Sequence, residues 1–317
     1  MSQMSCSNQK PKLLLSTTTP NKCNVGFTLV LCFSRSWCVT RFFRRFEKMR
    51  VDVGNCNLVI FDNSNSSMLE RLLREVYEGY KDGFRTVRLY KTYRSSGPEI
   101  LTDDIGDFDH SKLPMIYAMQ RDIMDLIHTD VFVLLEDDTL APKNAVIKLL
   151  QTLKHHKKIG VVCAIETSRS IVPFAKVRLG VHYMKVEGHK IIERISLPSN
   201  FTGLRGVHGC GWYCIASHKK IWSDALNEMR PYIHEIPRWG LDNIHTYLIH
   251  RKGFRVVADF SLWCKHMQTT PEGIIEWGKK QSRPMLDIWI PSYGKYAESV
   301  ILEWKHRFVP REFLKNR

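Results

Sequence analysis

The stretch TDVFVLLEDDTLAP, residues 129–142, constrains the fold of this chain more than any other. Its apolar run, 131–135, has the length of a buried strand. The run ends at three consecutive carboxylates, Glu136, Asp137 and Asp138. Pro142 then opens a helical pattern, in which apolar residues recur at Ala145, Val146, Leu149 and Leu150. The stretch therefore predicts a buried strand, an acidic strand end and a helix in direct succession.

The acidic strand end has two interpretations. In open α/β sheets ligands bind at the carboxyl ends of the strands, and closely spaced carboxylates are most easily tolerated around a cation. Carboxylate oxygens suit Mg²⁺ or Mn²⁺, ions that often link a protein to the phosphates of a substrate. The alternative is a solvated acidic loop after an ordinary strand. The stretch alone leaves both interpretations open.

Strands and helices alternate through the first part of the chain. Hydrophobic patterns predict strands at 28–33, 56–61 and 86–90, separated by helices, and a short strand at 12–16. Later patterns predict a helix at 115–127, strands at 161–165 and 253–258, a weak antiparallel section within 172–197, and helices after Lys219 and from Trp239. A polar loop, 93–112, lies between two of these elements. Such alternation predicts an α/β protein with a parallel sheet.

Three further features follow this order along the chain. Asp62 ends the second strand, in the sequence VIFDNS. Four glycines lie within residues 203–211, including the pattern Gly206-x-x-Gly-x-Gly211, which predicts a loop whose backbone approaches another group closely. Asp242 opens a predicted helix, and His266 follows the last predicted strand. Each feature also has a purely structural explanation, such as helix capping or a charge at a helix N-terminus.

Taken together, these features resemble the family 2-type glycosyltransferases of the GT-A fold, over residues 28–266. The resemblance implies a Rossmann-like mixed α/β sheet flanked by helices, with a small antiparallel section and a C-terminal extension. We therefore expect a loosely packed or disordered lead-in at 1–27, a GT-A domain at 28–267, and an aromatic-rich extension or lid at 268–317.

The resemblance also implies roles for individual residues. Glu136 and Asp138 occupy the outer positions of a DxD-type motif, with Asp138 the first metal ligand and His266 completing the site of an Mn²⁺ or Mg²⁺ ion. Asp242 matches the general base. The expected contacts to a nucleotide-sugar donor, a UDP-sugar foremost, come from Asp62, Asp104, Arg121, Asp137 and Arg205. The sequence departs from the family pattern where Glu136 replaces an Asp and where Leu241 precedes Asp242 in place of an acid.

Such residues match the chemistry of an inverting transfer. A departing nucleoside diphosphate needs its charge neutralised, which a divalent metal does without proton transfer. The acceptor hydroxyl needs a carboxylate within reach to take its proton. One displacement with one base inverts the anomeric centre. Two other classes remain open: a nucleotidyltransferase, and a basic nucleic-acid-binding α/β protein without enzymatic activity.

Charge and cysteine usage bear on partners and compartment. The formal net charge of +15 favours polyanionic partners, so the acceptor is expected to be either a glycan or a nucleic acid, such as a hydroxylated base in modified DNA. Nine cysteines without CxxC pairs predict reduced thiols and a cytoplasmic location. The apolar run at 27–33 is far shorter than the roughly 20 residues that cross a bilayer. We therefore expect no transmembrane segment.

Overall fold

The computed structural model describes residues 10–17, 26–64, 66–92, 113–166, 180–187, 190–197, 201–235 and 241–266. The expected extension at 268–317 and the polar loop at 93–112, including Asp104, lie outside these ranges. Most of the expected lead-in does as well. The described residues contain most of the predicted GT-A domain.

The strands and helices are as follows. The strands are β1 (Lys12–Ser16), β2 (Phe27–Phe33), β3 (Cys56–Asp62), β4 (Thr86–Lys91), β5 (Val131–Glu136), β6 (Thr139–Leu140), β7 (Ile159–Ile165), β8 (Val181–Glu187), β9 (Lys190–Ser196), β10 (Leu204–Val207), β11 (Gly209–Cys210), β12 (Cys214–His218), β13 (Arg255–Trp263) and β14 (Lys265–His266). The helices are α1 (Ser36–Phe46), α2 (Ser67–Tyr80), α3 (Leu113–Leu126), α4 (Ala145–His155), α5 (Lys219–Met229) and α6 (Leu241–Arg251), with 3₁₀ helices at Val53–Asn55 and Arg230–Glu235.

Within the described residues, nine strands form one mixed sheet in the order β1-β4-β3-β2-β5-β12-β7-β13-β10. Strands β4, β3, β2 and β5 are parallel neighbours, and β7 and β13 are also parallel. Strand β12 lies antiparallel between β5 and β7. Strands β1 and β10 pair antiparallel at the two edges. The predicted α/β class with a largely parallel sheet is confirmed, and the sheet takes in residues 12–16 from the segment expected to be a lead-in.

Helices cover both faces of the sheet. Every residue of β2 and of β7 is buried, because alternate side chains of these strands point into two separate apolar cores. One core contains apolar residues of α1, α2 and α4, and the other contains those of α3, α5 and α6. In the first, Phe33 packs against Phe42 and Phe43 of α1, with ring centroids 5.1 and 5.3 Å apart. This two-sided cover leaves the ends of the strands as the accessible part of the sheet.

Three predictions about the second half of the chain need correction. The glycine-rich segment predicted as a loop forms two short strands, β10 and β11. Residues 214–217, predicted only as the approach to a helix, belong to β12, which is buried on both faces and so shows no alternating pattern. The strand predicted at 253–258 continues as β13 to Trp263. The predicted antiparallel section is present as the sheet of β11, β8 and β9. No helix among the described residues is long and apolar enough to span a bilayer.

Candidate functional site

The carboxyl ends of four parallel strands lie level with one another. Phe33, the last residue of β2, pairs with Asp62, and Asp62 pairs with Lys91 at the end of β4. On the other side of β2, Cys32 pairs with Glu136. The register therefore brings two of the predicted acidic positions to one edge of the sheet, on either side of β2.

Asp62 is fully buried and held by neighbours on both sides. Its Oδ1 accepts hydrogen bonds from the backbone N–H of Ser64 (2.9 Å) and from the Ser64 hydroxyl (2.7 Å). The Lys91 ammonium lies 3.3 Å from Oδ2 and also donates to Glu70 Oε2 at 2.8 Å. Burial raises the pKa of Asp62, while the Ser64 hydrogen bonds and the charge of Lys91 act in the opposite direction. The side chain is thus fixed at the strand end with its charge compensated.

Asp137 anchors the turn that joins β2 to α1. Its Oδ2 accepts the backbone N–H groups of Ser34 (2.7 Å) and Arg35 (2.9 Å), and its Oδ1 accepts from the Arg35 guanidinium at 2.7 Å. The same guanidinium nitrogen lies 3.2 Å from Oδ2 of Asp138, which is fully buried. Asp137 was predicted to contact the donor; the contacts that the structure describes for it are to the protein itself.

Glu136 and Thr139 connect the acidic strand end to the second half of the sheet. The Glu136 amide donates to the carbonyl of Tyr213 at 3.0 Å. The Thr139 hydroxyl donates to Oε1 of Glu166 at 2.9 Å, and Glu166 is buried just beyond the end of β7. Glu166, Arg35 and Lys91 were not among the predicted site residues. Glu166 and Lys91 could have been found from the sequence, because each is a charged residue directly after a predicted strand.

The backbone of His266 lies next to the acidic strand end. In the β14–β6 pairing it lies opposite Thr139, the residue after Asp138. Its side chain lies outside what the structure describes. Among the side chains that are described, no three His, Cys, Asp or Glu groups converge as a metal site. The donor types nevertheless fit the expected ion, because Glu136 and Asp138 offer carboxylate oxygens and the pairing brings an imidazole-bearing residue to the same strand end.

Asp242 lies beside the same edge because α6 approaches the backbone of two glycines. A Cβ on Gly209 would lie 3.2 Å from the Asn243 carbonyl oxygen, and one on Gly211 would lie 3.4 Å from Oδ2 of Asp242. The Thr246 hydroxyl accepts the Cys210 amide at 3.0 Å and ties the first turns of α6 to β11. Gly211 is two residues from Tyr213, whose carbonyl binds Glu136. The glycine-rich segment therefore serves close approaches, as predicted: the Met184 and Tyr213 side chains come nearest to Gly209 and Gly211, and the start of α6 lies next to both.

Gly211 should tolerate a methyl group poorly. A Cβ there would lie 2.6 Å from two ring atoms of Tyr213, and the Tyr213 hydroxyl is fixed by donating to the Ala164 carbonyl at 2.9 Å. We expect Gly211→Ala to lower the free energy of unfolding by about 1–3 kcal/mol, measured by urea denaturation. Gly206→Ala is the matched control, because a Cβ there meets nothing within 4 Å, and we expect a change below about 0.5 kcal/mol. Equal losses in both variants would contradict the steric explanation.

The two predicted diphosphate arginines lie on α3 and β10. Arg121 is exposed on α3, where its charge acts on the nearby Tyr117. Arg205 lies on the edge strand β10, with its guanidinium carbon 5.1 Å from the centre of the Phe201 ring. Four strand spacings separate β10 from β5, about 19 Å along the sheet. The structure therefore does not bring Arg205 next to Asp138.

His208, Cys210 and Cys214, which follow an H-x-C-x-x-x-C spacing, do not form a metal site among the described residues. The Nδ1 atom of His208 lies 2.9 Å from the Met184 carbonyl oxygen, which fixes the ring against β8. The seven cysteines in the described part of the chain are buried, so they pack in the core.

No protein-family model and no curated protein matches the sequence. The structure is similar to the crystal structure of GalNAc-T7 with UDP, GalNAc and Mn²⁺, with a TM-score of 0.50 and 12% identity, over 93% of this chain and 57% of that chain. It also matches mannosyltransferase PcManGT from Pyrobaculum calidifontis in complex with GDP-Man and Mn²⁺ (TM-score 0.48, 10% identity, 92% of this chain and 72% of that one) and S. aureus TarS (0.44, 11%, 89% and 43%). The chain thus spans little more than half the length of GalNAc-T7. The likeness to GalNAc-T7 confirms the predicted GT-A fold.

Proposed function

We propose that this GT-A chain is a metal-dependent, inverting glycosyltransferase that moves a sugar from a nucleoside-diphosphate donor to an acceptor hydroxyl. One observation carries the proposal: Asp62 and the Glu136–Asp138 strand end lie at one carboxyl edge of the sheet, and the first turn of α6 with Asp242 lies beside the glycine backbone that leads to this edge. A solvated acidic loop would be exposed, whereas Asp62 and Asp138 are fully buried. Burial of a carboxylate has a large energetic cost unless hydrogen bonds, a counter-charge or a bound cation compensate its charge.

The proposed donor roles follow from position. Asp62, fixed by Ser64 and Lys91, would accept hydrogen bonds from the base or ribose of the nucleotide. Glu136, Asp138 and His266 would hold Mn²⁺ or Mg²⁺, which neutralises the leaving diphosphate when bound. GalNAc-T7, whose structure holds UDP, GalNAc and Mn²⁺, supports a nucleotide-sugar donor of this class. A UDP-sugar is the first donor to test.

Asp242 is the proposed general base. Its side chain is half-buried at the start of α6, next to the glycine backbone that leads to Tyr213 and Glu136. Its Oδ1 accepts the Asn243 amide at 2.8 Å, which holds the carboxylate at the first turn of α6. An acceptor hydroxyl that binds beside it can give up its proton as it attacks the sugar.

The charges in the described structure favour a glycan acceptor over a nucleic acid. The exposed basic run KHHKK, residues 154–158, lies at the end of α4 and leads into the amino end of β7. It is therefore at the edge opposite to Asp62 and Asp138. A nucleic-acid acceptor needs basic groups around the reacting base. Competition by duplex DNA against transfer at moderate salt would reverse this choice.

The contacts of the β2–α1 turn weigh against a nucleotidyltransferase. That class uses the backbone N–H groups after the first strand to bind phosphates. Here the amides of Ser34 and Arg35 already donate to the Asp137 carboxylate. The products would also differ, because a nucleotidyltransferase releases pyrophosphate whereas a glycosyltransferase releases a nucleoside diphosphate.

The experiment that tests the function is a donor panel. UDP-, GDP- and TDP-sugars would be incubated with the full chain and Mn²⁺, with and without EDTA, and the released nucleoside diphosphate measured. We expect turnover of one donor that EDTA abolishes and a glycan acceptor accelerates. No binding and no turnover of any donor by a folded chain would instead favour the nucleic-acid-binding class.

A further inference from the structure

Arg35 is a buried cation within the acidic strand end. It is the residue immediately before α1, and it is only 7% exposed. Its Nη1 atom lies 2.7 Å from Asp137 Oδ1 and 3.2 Å from Asp138 Oδ2, so one nitrogen bridges two consecutive carboxylates. The contacting residues are more than a hundred positions apart in the chain.

Hydrogen bonds from both the backbone and the side chain of Arg35 fix the position of its guanidinium. Its backbone N–H donates to Asp137 Oδ2 at 2.9 Å, and its side chain donates to Oδ1 of the same carboxylate. Asp137 also accepts the Ser34 amide at 2.7 Å, which holds that carboxylate in turn. A guanidinium stays protonated at every pH at which proteins fold. The strand end therefore contains a permanent positive charge in a fixed place.

We propose that Arg35 is a positioning residue and resident counter-ion of the acidic strand end, which orients Asp138 and weakens the attraction of the carboxylates for a divalent metal. The inference rests on the metal site of the proposed function. Arg35 offsets part of the charge of Asp137 and Asp138 before any metal binds, and it occupies one oxygen of Asp138. A divalent metal would then bind to carboxylates that are already in position, and Arg35 would limit how tightly they hold it.

The direction of the effect follows from Coulomb's law. A unit positive charge within about 10 Å of a bound divalent ion, at an effective dielectric constant of about 20, would weaken its binding by roughly a hundredfold or more. Removal of Arg35 also loosens Asp138, which reduces the gain. We therefore expect Arg35→Met to bind Mn²⁺ at least about tenfold more tightly than the wild type, and to unfold at a lower temperature in EDTA.

Two variants separate charge from other effects. Arg35→Lys keeps the positive charge but loses the planar guanidinium, so it should bind Mn²⁺ within about threefold of the wild type. Arg44→Met, an exposed position on the same helix, should change neither Mn²⁺ affinity nor metal-free stability. Each chain would be titrated with Mn²⁺ by calorimetry at low ionic strength, and its thermal unfolding followed with and without the metal.

The outcomes decide the proposal independently of sugar transfer. Tighter Mn²⁺ binding by Arg35→Met alone, or folding of that variant only when Mn²⁺ is added, supports it. Unchanged or weaker binding by Arg35→Met overturns it, as does an Arg35→Met chain that stays unfolded in Mn²⁺ while Arg35→Lys folds. Absence of Mn²⁺ binding by every chain also overturns it. A failed donor panel with tighter Mn²⁺ binding by Arg35→Met would reject the transferase and leave the role of Arg35 intact.

Discussion

Asp138→Asn should lower metal-dependent release of nucleoside diphosphate from the donor by about a thousandfold or more. Asp138 is fully buried at the end of β5, next to Thr139, which the β6–β14 pairing places opposite His266. The amide keeps the size of the side chain but removes the negative charge that a metal needs. Because stabilisation of a leaving group by preorganised charge commonly contributes several kcal/mol, its loss should dominate the kinetics. The measurement is steady-state diphosphate release with saturating donor and Mn²⁺.

A matched control for this variant lies at the other end of the same strand. Asp130→Asn changes an exposed carboxylate just before β5, at the opposite edge of the sheet. We expect it to retain wild-type turnover, and circular dichroism should show that both variants are folded. A folded Asp138→Asn chain with more than a tenth of wild-type activity would remove Asp138 from the metal site.

Asp242→Asn should lower transfer to the acceptor by about a hundredfold to ten-thousandfold, the usual contribution of a general base. A Cβ on Gly211 would lie 3.4 Å from the Asp242 carboxylate, whereas Asp62 ends β3, two strands beyond β5 in the sheet, so donor binding should change little. The expected pattern is therefore a lower kcat with an unchanged Kd for the nucleoside diphosphate. Transfer would be followed by product formation, and binding by calorimetry.

The control for the base assignment is Asp224→Asn. Asp224 is an exposed acid of α5, paired with Lys220 at 2.9 Å, and its loss should leave transfer unchanged. If Asp242→Asn weakens donor binding and transfer equally, the residue belongs to the donor site. If transfer by Asp242→Asn matches the wild type at all pH values, another group takes the proton.

The strand ends were predictable from local sequence. The apolar runs that end in Asp62 and Glu136 have the length and composition of buried strands, and both form neighbours of β2 with their ends level. Hydrophobic period and strand-end position are local properties, so one sequence suffices to find them. The four glycines also predicted a close approach to their segment, but they did not predict that α6 would be one of the approaching groups.

The contacts across the sheet were not predictable in the same way. Arg35 and Asp137 are 102 positions apart in the chain. Glu136 contacts Tyr213, the residue before β12, and the five residues of β12 do not alternate between buried and exposed side chains. Such contacts depend on which strands become neighbours. The position of Arg205 shows the same dependence. The sequence around Arg205 did not indicate that β10 lies at an edge of the sheet. Strand order is a property of the whole chain.

The place of β12 in the sheet has a consequence for synthesis on the ribosome. Strands β5 and β7 are complete once residue 165 has been made, but the strand that joins them ends only at His218. Until then, β5 has one unpaired edge and β7 has two, because the other neighbour of β7, β13, ends only at Trp263, and such edges are open to wrong partners. Pairings this distant in sequence also slow folding. A nascent chain that pauses before His218 therefore carries one incomplete sheet and an unpaired apolar strand, and it needs protection from aggregation until β12 and β13 are made.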